Sequence, residues 1–287
     1  MLPPRVMLLT VQIELLSSIP TFHPAWLVVA FAVLLIGVTK SGFGAGVGLI
    51  IVPITALAMA QLPPGEQAAL GLLLPLLIAG DLIAVFQYRK LLDSRLLRVL
   101  LWPTVVGVIL GAAMLWGIHH IGGRSAALAA ALIRIEIGLE CVVLVGLHYY
   151  GLVKGVERKL LPEPSRSWIT GIYAGVSSTL AHAAGPVIAL YLLPQKLPRE
   201  VFVGTCAAYF FALNTAKLPA YYAAGQFGHV SFAFTLAWIP LLAAGALLGR
   251  WIVRKINETI FSHVVYTTTM AMGFYLVIEG IWRIAGG

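Results

Sequence analysis

The chain has 287 residues, of which 60% are hydrophobic and only 10% charged, and it carries a formal net charge of +8. A soluble domain has about 25% charged residues, so composition excludes a soluble globular fold and points to a polytopic membrane protein with no separate soluble domain. The positive balance does not gather into the patch that nucleic acid requires. Lysines and arginines instead sit in short stretches between apolar runs, where they set topology, so no nucleic-acid partner is expected.

Residues 1–24 include "VMLLTVQIELLSSI", interrupted by Gln12 and Glu14 and followed by no small-residue cleavage site. They read as a retained interfacial segment and not as a signal peptide. A bilayer core needs about 20 helical residues. The next apolar region, Ala25–Ala60, is too long for one helix and is broken by the glycines of "GVTKSGFGAGVG" (Gly37–Gly48). Full-length spans are then expected at Gly65–Tyr88, Arg95–Gly117 and Ser125–Tyr150. A charged stretch at 151–167 reads as a linker. Trp168–Pro194 is a second broken region, followed by spans at Arg199–Ala223, His229–Ile252 and Asn257–Ile284. The arms of each broken region hold roughly 10–15 residues, about 15–22 Å of helix, so no arm is expected to cross alone.

The two broken regions resemble one another. "GVTKSGFGAGVGLIIVP" begins at Gly37 and "GVSSTLAHAAGPVIALYLLP" at Gly175, 138 residues later. Similar offsets pair Tyr88 with Tyr221, Pro103 with Pro240, Gly107 with Gly245 and Gly111 with Gly249. This implies a duplication, 25–150 and 168–287, of the kind built into secondary transporters. Each half would contain an odd number of crossings, so the second would be inverted. Under that arrangement one side of the membrane collects 13 loop lysines and arginines and the other 3. The richer side is cytoplasmic by the positive-inside rule, which puts both termini outside. The expected fold is all-α, a multi-pass inner-membrane protein of two inverted-topology repeats, each starting with a broken helix pair.

Lys40, Arg134 and Lys217 are the basic residues left inside membrane segments. An ionised side chain at mid-membrane costs about 2.5–3.5 kcal/mol or more, and is retained where it meets a partner, water or a ligand. Lys40 stands in the first break beside Ser41, Gly44 and Gly46. His182 stands in the second beside Ser177, Ser178, Thr179, Gly185 and Pro186. Gly46 and Gly185–Pro186 look like helix starts inside the membrane, where unpaired N–H groups favour an anion. Asn214 lies one turn before Lys217 on the same helix face. An offset of 133 aligns Asn214 with Asp81, which reads as a counter-ion to a lysine or as the carrier of a coupling proton. Arg134, Glu136 and Glu140 read as polar contacts between the halves. The expected site therefore accepts a small anion, with the bilayer as surroundings, protons as a candidate coupling partner and a second copy of the chain as a candidate neighbour.

Other chemistries lack their residues. No Walker loop is present, and "GFGAGVG" lacks the strand, helix and acidic residue of a dinucleotide fingerprint. Cys141 and Cys206 have neither disulfide nor metal spacing. No cofactor, metal or enzymatic constellation is expected.

At these residues the sequence resembles the sulfite exporter TauE/SafE family of bacterial membrane proteins. The resemblance rests on "GVTKSGFGAGVGLIIVPI", "LLLPLLIAGDLIAVFQYRK" and above all "GVSSTLAHAAGPVIALYLLPQKLPREVFVGTCAAYFFALNTAKLPAYYAAGQF". The last matches a branch with a His-Ala-x-Gly-Pro signature followed by Asn-x-x-Lys-x-Pro. The first break departs from the "GIGGG" of other members. The resemblance implies a secondary transporter that moves a small sulfur oxyanion or organosulfonate, such as sulfite or sulfoacetate, by alternating access across the inner membrane. It implies that Lys40, Ser41, Gly44, Gly46, Ser177, Ser178, Thr179, His182, Gly185, Pro186, Asn214 and Lys217 line the substrate path, with Asp81 behind them. An anion channel, or a carrier of a small carboxylated anion, is the alternative.

Overall fold

In a computed structural model the chain is all-helical among the described residues, which are 23–44, 51–59, 61–62, 68–121, 162–223, 227, 232–285 and individual helical positions within 128–150. In chain order the helices are α1 (Ala25–Val38), α2 (Ile51–Met59), α3 (Ala68–Tyr88), α4 (Ser94–Ile121), α5 (Ser165–Ala181), α6 (Ala184–Leu192), α7 (Arg199–Ala216), α8 (Leu218–Ala223), α9 (Phe232–Ala237), α10 (Ile239–Lys255) and α11 (Glu258–Ile284). Six apolar stretches among these are long enough to cross a membrane: Ala25–Phe43, Gly71–Tyr88, Ser94–Met114, Arg199–Ala223, Thr235–Lys255 and Thr259–Ile284. The protein is a multi-pass membrane protein.

Local chemistry sets the ends of these elements. Asp93 caps α4, its Oδ1 accepting from the backbone N–H groups of Arg95 at 2.9 Å and Leu96 at 3.0 Å. Asn257 caps α11 by accepting from Ile260 N at 2.7 Å. Pro240 sits in the first turn of α10, where its missing N–H costs nothing.

Several boundaries differ from expectation. The first helix does not break at Gly37. It runs through Val38 into one π-helical turn, Thr39–Phe43, and stops at Gly44, whose φ of 70° falls in the left-handed region that favours glycine. At 19 residues, Ala25–Phe43 is long enough to cross alone, which corrects the expectation that no arm does. Arg199–Ala223 is one stretch long enough to cross, as expected, with a one-residue turn at Lys217, two residues before Pro219, where α7 gives way to α8. Overlapping the expected His229–Ile252 span, Thr235–Lys255 is likewise one such stretch, with a turn at Trp238 before Pro240.

Glycine, not length, decides what packs on what. A Cβ at Gly37 would strike the backbone of Leu242 and Ala246, and one at Gly245 would strike Leu34, so α1 and α10 lie backbone against backbone. The same happens between α5 and α4: a Cβ at Gly175 would meet the backbone of Thr104 and Val108, and one at Gly107 that of Ile172. Small residues allow this approach where lipid offers no hydrophobic drive. Gly175 stands 138 residues after Gly37, and Gly107 stands 138 before Gly245. The third main contact joins α3 to α7. It lies between two apolar cores, one built from Val29, Ile36, Leu72 and Leu242 and the other from Leu100, Ile188, Phe202 and Tyr209.

Candidate functional site

The contact between α3 and α7 brings two buried polar side chains together, Asp81 and Asn214. Asp81 on α3 is fully buried, and its Oδ1 lies 2.7 Å from Lys40 Nζ. Asn214 on α7 donates from Nδ2 to Asp81 Oδ2 at 2.7 Å. One carboxylate is thereby held between an ammonium and an amide. The Lys40 ammonium also lies 4.5 Å from the centre of the Phe210 ring, a cation–π contact. Burying a charge is expensive unless it is paired and hydrogen-bonded; here Lys40 supplies the opposite charge and Asn214 the hydrogen bond.

Three residues beyond Asn214, Lys217 is treated differently. It is fully buried, and among the described residues no carboxylate lies within ion-pair distance of its nitrogen. Its Nζ donates to Ser178 Oγ at 3.0 Å and to Ser178 O at 3.4 Å, and lies 3.1 Å from His182 Nδ1. All three are neutral acceptors. With Lys217 protonated, Nδ1 must present its lone pair, so the hydrogen of His182 sits on Nε2, 2.9 Å from Tyr221 Oη. The Tyr221 hydroxyl in turn donates to Thr179 O at 3.3 Å.

The second break carries this imidazole. His182 ends α5 in the left-handed conformation, φ 52°, with its N–H on Ser178 O at 3.0 Å. A non-glycine residue there is strained, and the contacts to Lys217 and Tyr221 fix it in place. Gly185 and Pro186 lie in the first turn of α6, beyond Ala183, as the proline pattern predicts.

A parallel contact closes the first break. The Tyr88 hydroxyl donates to Ser41 O at 2.7 Å, and the guanidinium of Arg250 lies 5.6 Å from the Tyr88 ring centre. Tyr221 stands 133 residues after Tyr88, and Thr179 stands 138 after Ser41, so each tyrosine holds a backbone carbonyl at its own break.

Of the residues expected in the site, Lys40, Asp81 and Asn214 meet in one cluster, and Ser178, His182 and Lys217 in another. Both clusters border α7. The Ser177 and Thr179 hydroxyls bond back to their own helix, at Ala174 O and Gly175 O. Ser41 is buried, its hydroxyl without a hydrogen-bond partner among the described residues. Gly44 abuts Cys206 and Val203 on α7, where a Cβ would collide. Gly46 lies outside the described residues, as do Arg134 and Glu140. Tyr88, Phe210 and Tyr221 were missed as site residues, although the tyrosines were visible as a pair at a 133-residue offset. Among the described residues no three His, Cys, Asp or Glu side chains stand close enough to hold a metal ion.

The sequence profile of one family, described as "Sulfite exporter TauE/SafE", matches residues 29–276. No curated protein and no solved structure matches.

Proposed function

The chain belongs to the sulfite exporter TauE/SafE family, and we propose that it is a secondary transporter that carries a small oxyanion of the sulfite or organosulfonate class across the inner membrane. The observation that carries this reading is the pairing of charges. Lys40 has its carboxylate at 2.7 Å, whereas Lys217 is buried among a hydroxyl, a carbonyl, an imidazole and the Tyr221 ring, with no carboxylate within ion-pair distance among the described residues. An uncompensated ammonium in a dry interior is a standing demand for an anion.

Lys217 would supply the charge, and the Ser178 hydroxyl, which is free to rotate, would donate to a second oxygen. His182 Nε2–H, now given to Tyr221, is a further donor. Charge-assisted hydrogen bonds of this kind are about twice as strong as neutral ones. A sulfonate or sulfite can accept them from several directions. The ligand would thus take over donors that the protein otherwise satisfies internally.

Alternating access follows from the two breaks. The reciprocal glycine contacts, Gly37 on the Leu242–Ala246 stretch and Gly175 on the Thr104–Val108 stretch, support two repeats of inverted topology. With both termini outside, Tyr88 lies toward the cytoplasm beside Arg89 and Lys90, and Tyr221 toward the opposite face. Each tyrosine would latch the break on its own side, and release of one at a time would expose the anion to one side at a time. The membrane potential, negative inside, favours anion export by about 2.3 kcal/mol per charge per 100 mV, so export requires no coupling ion. Asp81 remains with Lys40 as a counter-ion.

The test is counterflow in proteoliposomes, with internal unlabelled sulfite or sulfoacetate and labelled anion outside. A carrier gives transient accumulation that saturates with concentration, and Lys217→Met abolishes it while the protein still elutes as a folded peak. Flux without saturation or counterflow would mean a channel. Unchanged transport in Lys217→Met would remove the site.

A further inference from the structure

Away from the buried lysines, a surface cleft of about 580 Å³ opens between the start of α4 and the start of α5, floored by the end of α6 and the turn after it. The size suits a small polar group. Its acidic residues are already engaged. Asp93 caps α4, while Glu163 accepts from the Tyr191 hydroxyl at 2.8 Å and from Ser167 N at 3.2 Å. The basic residues are not. Arg98 uses only Nε, on Ser94 O at 3.2 Å. Among the described residues its terminal nitrogens, and the whole guanidinium of Arg95, have no hydrogen-bond partner. Both arginines are exposed.

What lies next to these arginines selects the ligand. Arg95, Arg98 and Trp102 occupy positions i, i+3 and i+7 of α4, one face of the helix. Trp102 is 74% exposed and, across the cleft on α5, Trp168 is 47% exposed. Beyond the indoles α4 continues with Val105, Val106 and Ile109, all exposed. From the helix end inward the face is therefore cationic, then aromatic, then aliphatic. That is the order of a phospholipid from phosphate through glycerol to acyl chain, with indole rings at the headgroup level. A soluble phosphate would need the two arginines but neither the tryptophans nor the aliphatic strip.

We propose that this cleft binds the phosphodiester headgroup of an anionic phospholipid, with Arg95 and Arg98 on the phosphate, Trp102 and Trp168 flanking the glycerol, and the acyl chains along α4. Basic clefts between membrane helices are suited to such headgroups. The site is independent of Lys217, so it stands or falls apart from the transport reading.

Native mass spectrometry of the detergent-purified full chain, titrated with phosphatidylglycerol, phosphatidylcholine or glycerol 3-phosphate, tests it. Phosphatidylglycerol should stay bound at activation energies that strip phosphatidylcholine, and glycerol 3-phosphate should leave no adduct. Arg95→Gln with Arg98→Gln should weaken phosphatidylglycerol binding at least tenfold, and Trp102→Ala should weaken it by a smaller factor. Arg254→Gln, which removes an exposed arginine paired with Glu200, should leave it unchanged. Equal retention of the two lipids, unchanged binding in the double variant, or an adduct with glycerol 3-phosphate as strong as with the lipid would each overturn the proposal.

Discussion

The two breaks occupy corresponding places in the sequence and carry opposite electrostatics. In the first, Lys40 meets Asp81 and the charges cancel. At the offsets of 138 and 133 these positions become Ser178 and Asn214 in the second half, a hydroxyl and an amide with no charge between them. The second half then adds Lys217 and His182 where the first has Ala84 and Gly44. One break pairs its lysine with a carboxylate, whereas the other holds its lysine on neutral acceptors. On the two-repeat reading proposed above, the first break would act as a counterweight and the second as the anion's receptor.

Removing one partner from the neutral break should have the largest effect. Asp81→Ala leaves Lys40 unpaired in a nearly dry site and is expected to cost about 3–5 kcal/mol of stability, read as a lowered melting temperature in detergent. Asp81→Asn combined with Lys40→Met should recover most of it, since no charge is then stranded.

The charged break should behave in reverse. Lys217→Met strands no opposite charge, so stability should hold or rise. Losing a charged hydrogen-bonding group worth about 1.5–3 kcal/mol should weaken anion binding roughly tenfold to 150-fold in calorimetry. A stability loss as large as that of Asp81→Ala would show that Lys217 is a structural ion.

The frame itself should respond symmetrically. Gly37→Ala and Gly175→Ala each force a Cβ into a neighbouring backbone, and overpacking of this kind costs about 1–3 kcal/mol. Similar losses from the two would support the two-repeat reading; a large loss from one alone would weaken it.

The latches should give smaller effects of opposite sidedness. Tyr88→Phe removes one hydrogen bond and Tyr221→Phe two, each worth about 0.5–1.5 kcal/mol. Labelling of single introduced cysteines should increase at opposite membrane faces in the two variants.

The smallest difference concerns the entry to α5. Burial raises the pKa of Glu163, but hydrogen bonds from Ser167 and Tyr191 and the charge of Arg166 outweigh it and hold the carboxyl below its ordinary 4.5. Its anchoring is therefore complete above that ordinary value and lost as pH falls through the lower folded-state value. Hydrogen exchange at acid pH should rise first at the start of α5 and not at the start of α1, and Glu163→Gln should remove that dependence.

Much of this was legible beforehand. Apolar length and the spacing of charges fixed a multi-pass helical membrane protein, because lipid permits few alternatives for a backbone that must satisfy its own hydrogen bonds. The odd lysines, His182 and the glycine breaks stood out because hydrocarbon penalises them. Helix ends were less legible. Gly37 reads as a breaker by propensity, yet it lies inside α1, since its missing Cβ serves contact with α10 and not a turn.

What the sequence by itself determined is therefore the set of unusual residues and the medium they live in, both consequences of local composition. Which lysine meets the carboxylate and which is left to neutral acceptors was decided only by tertiary structure. That choice depends on whether α3 presents its carboxylate to Lys40 or to Lys217, a matter of a few ångströms between helices distant in sequence. Coulomb energy in a dry interior changes steeply over such distances, and no spacing along the chain records them.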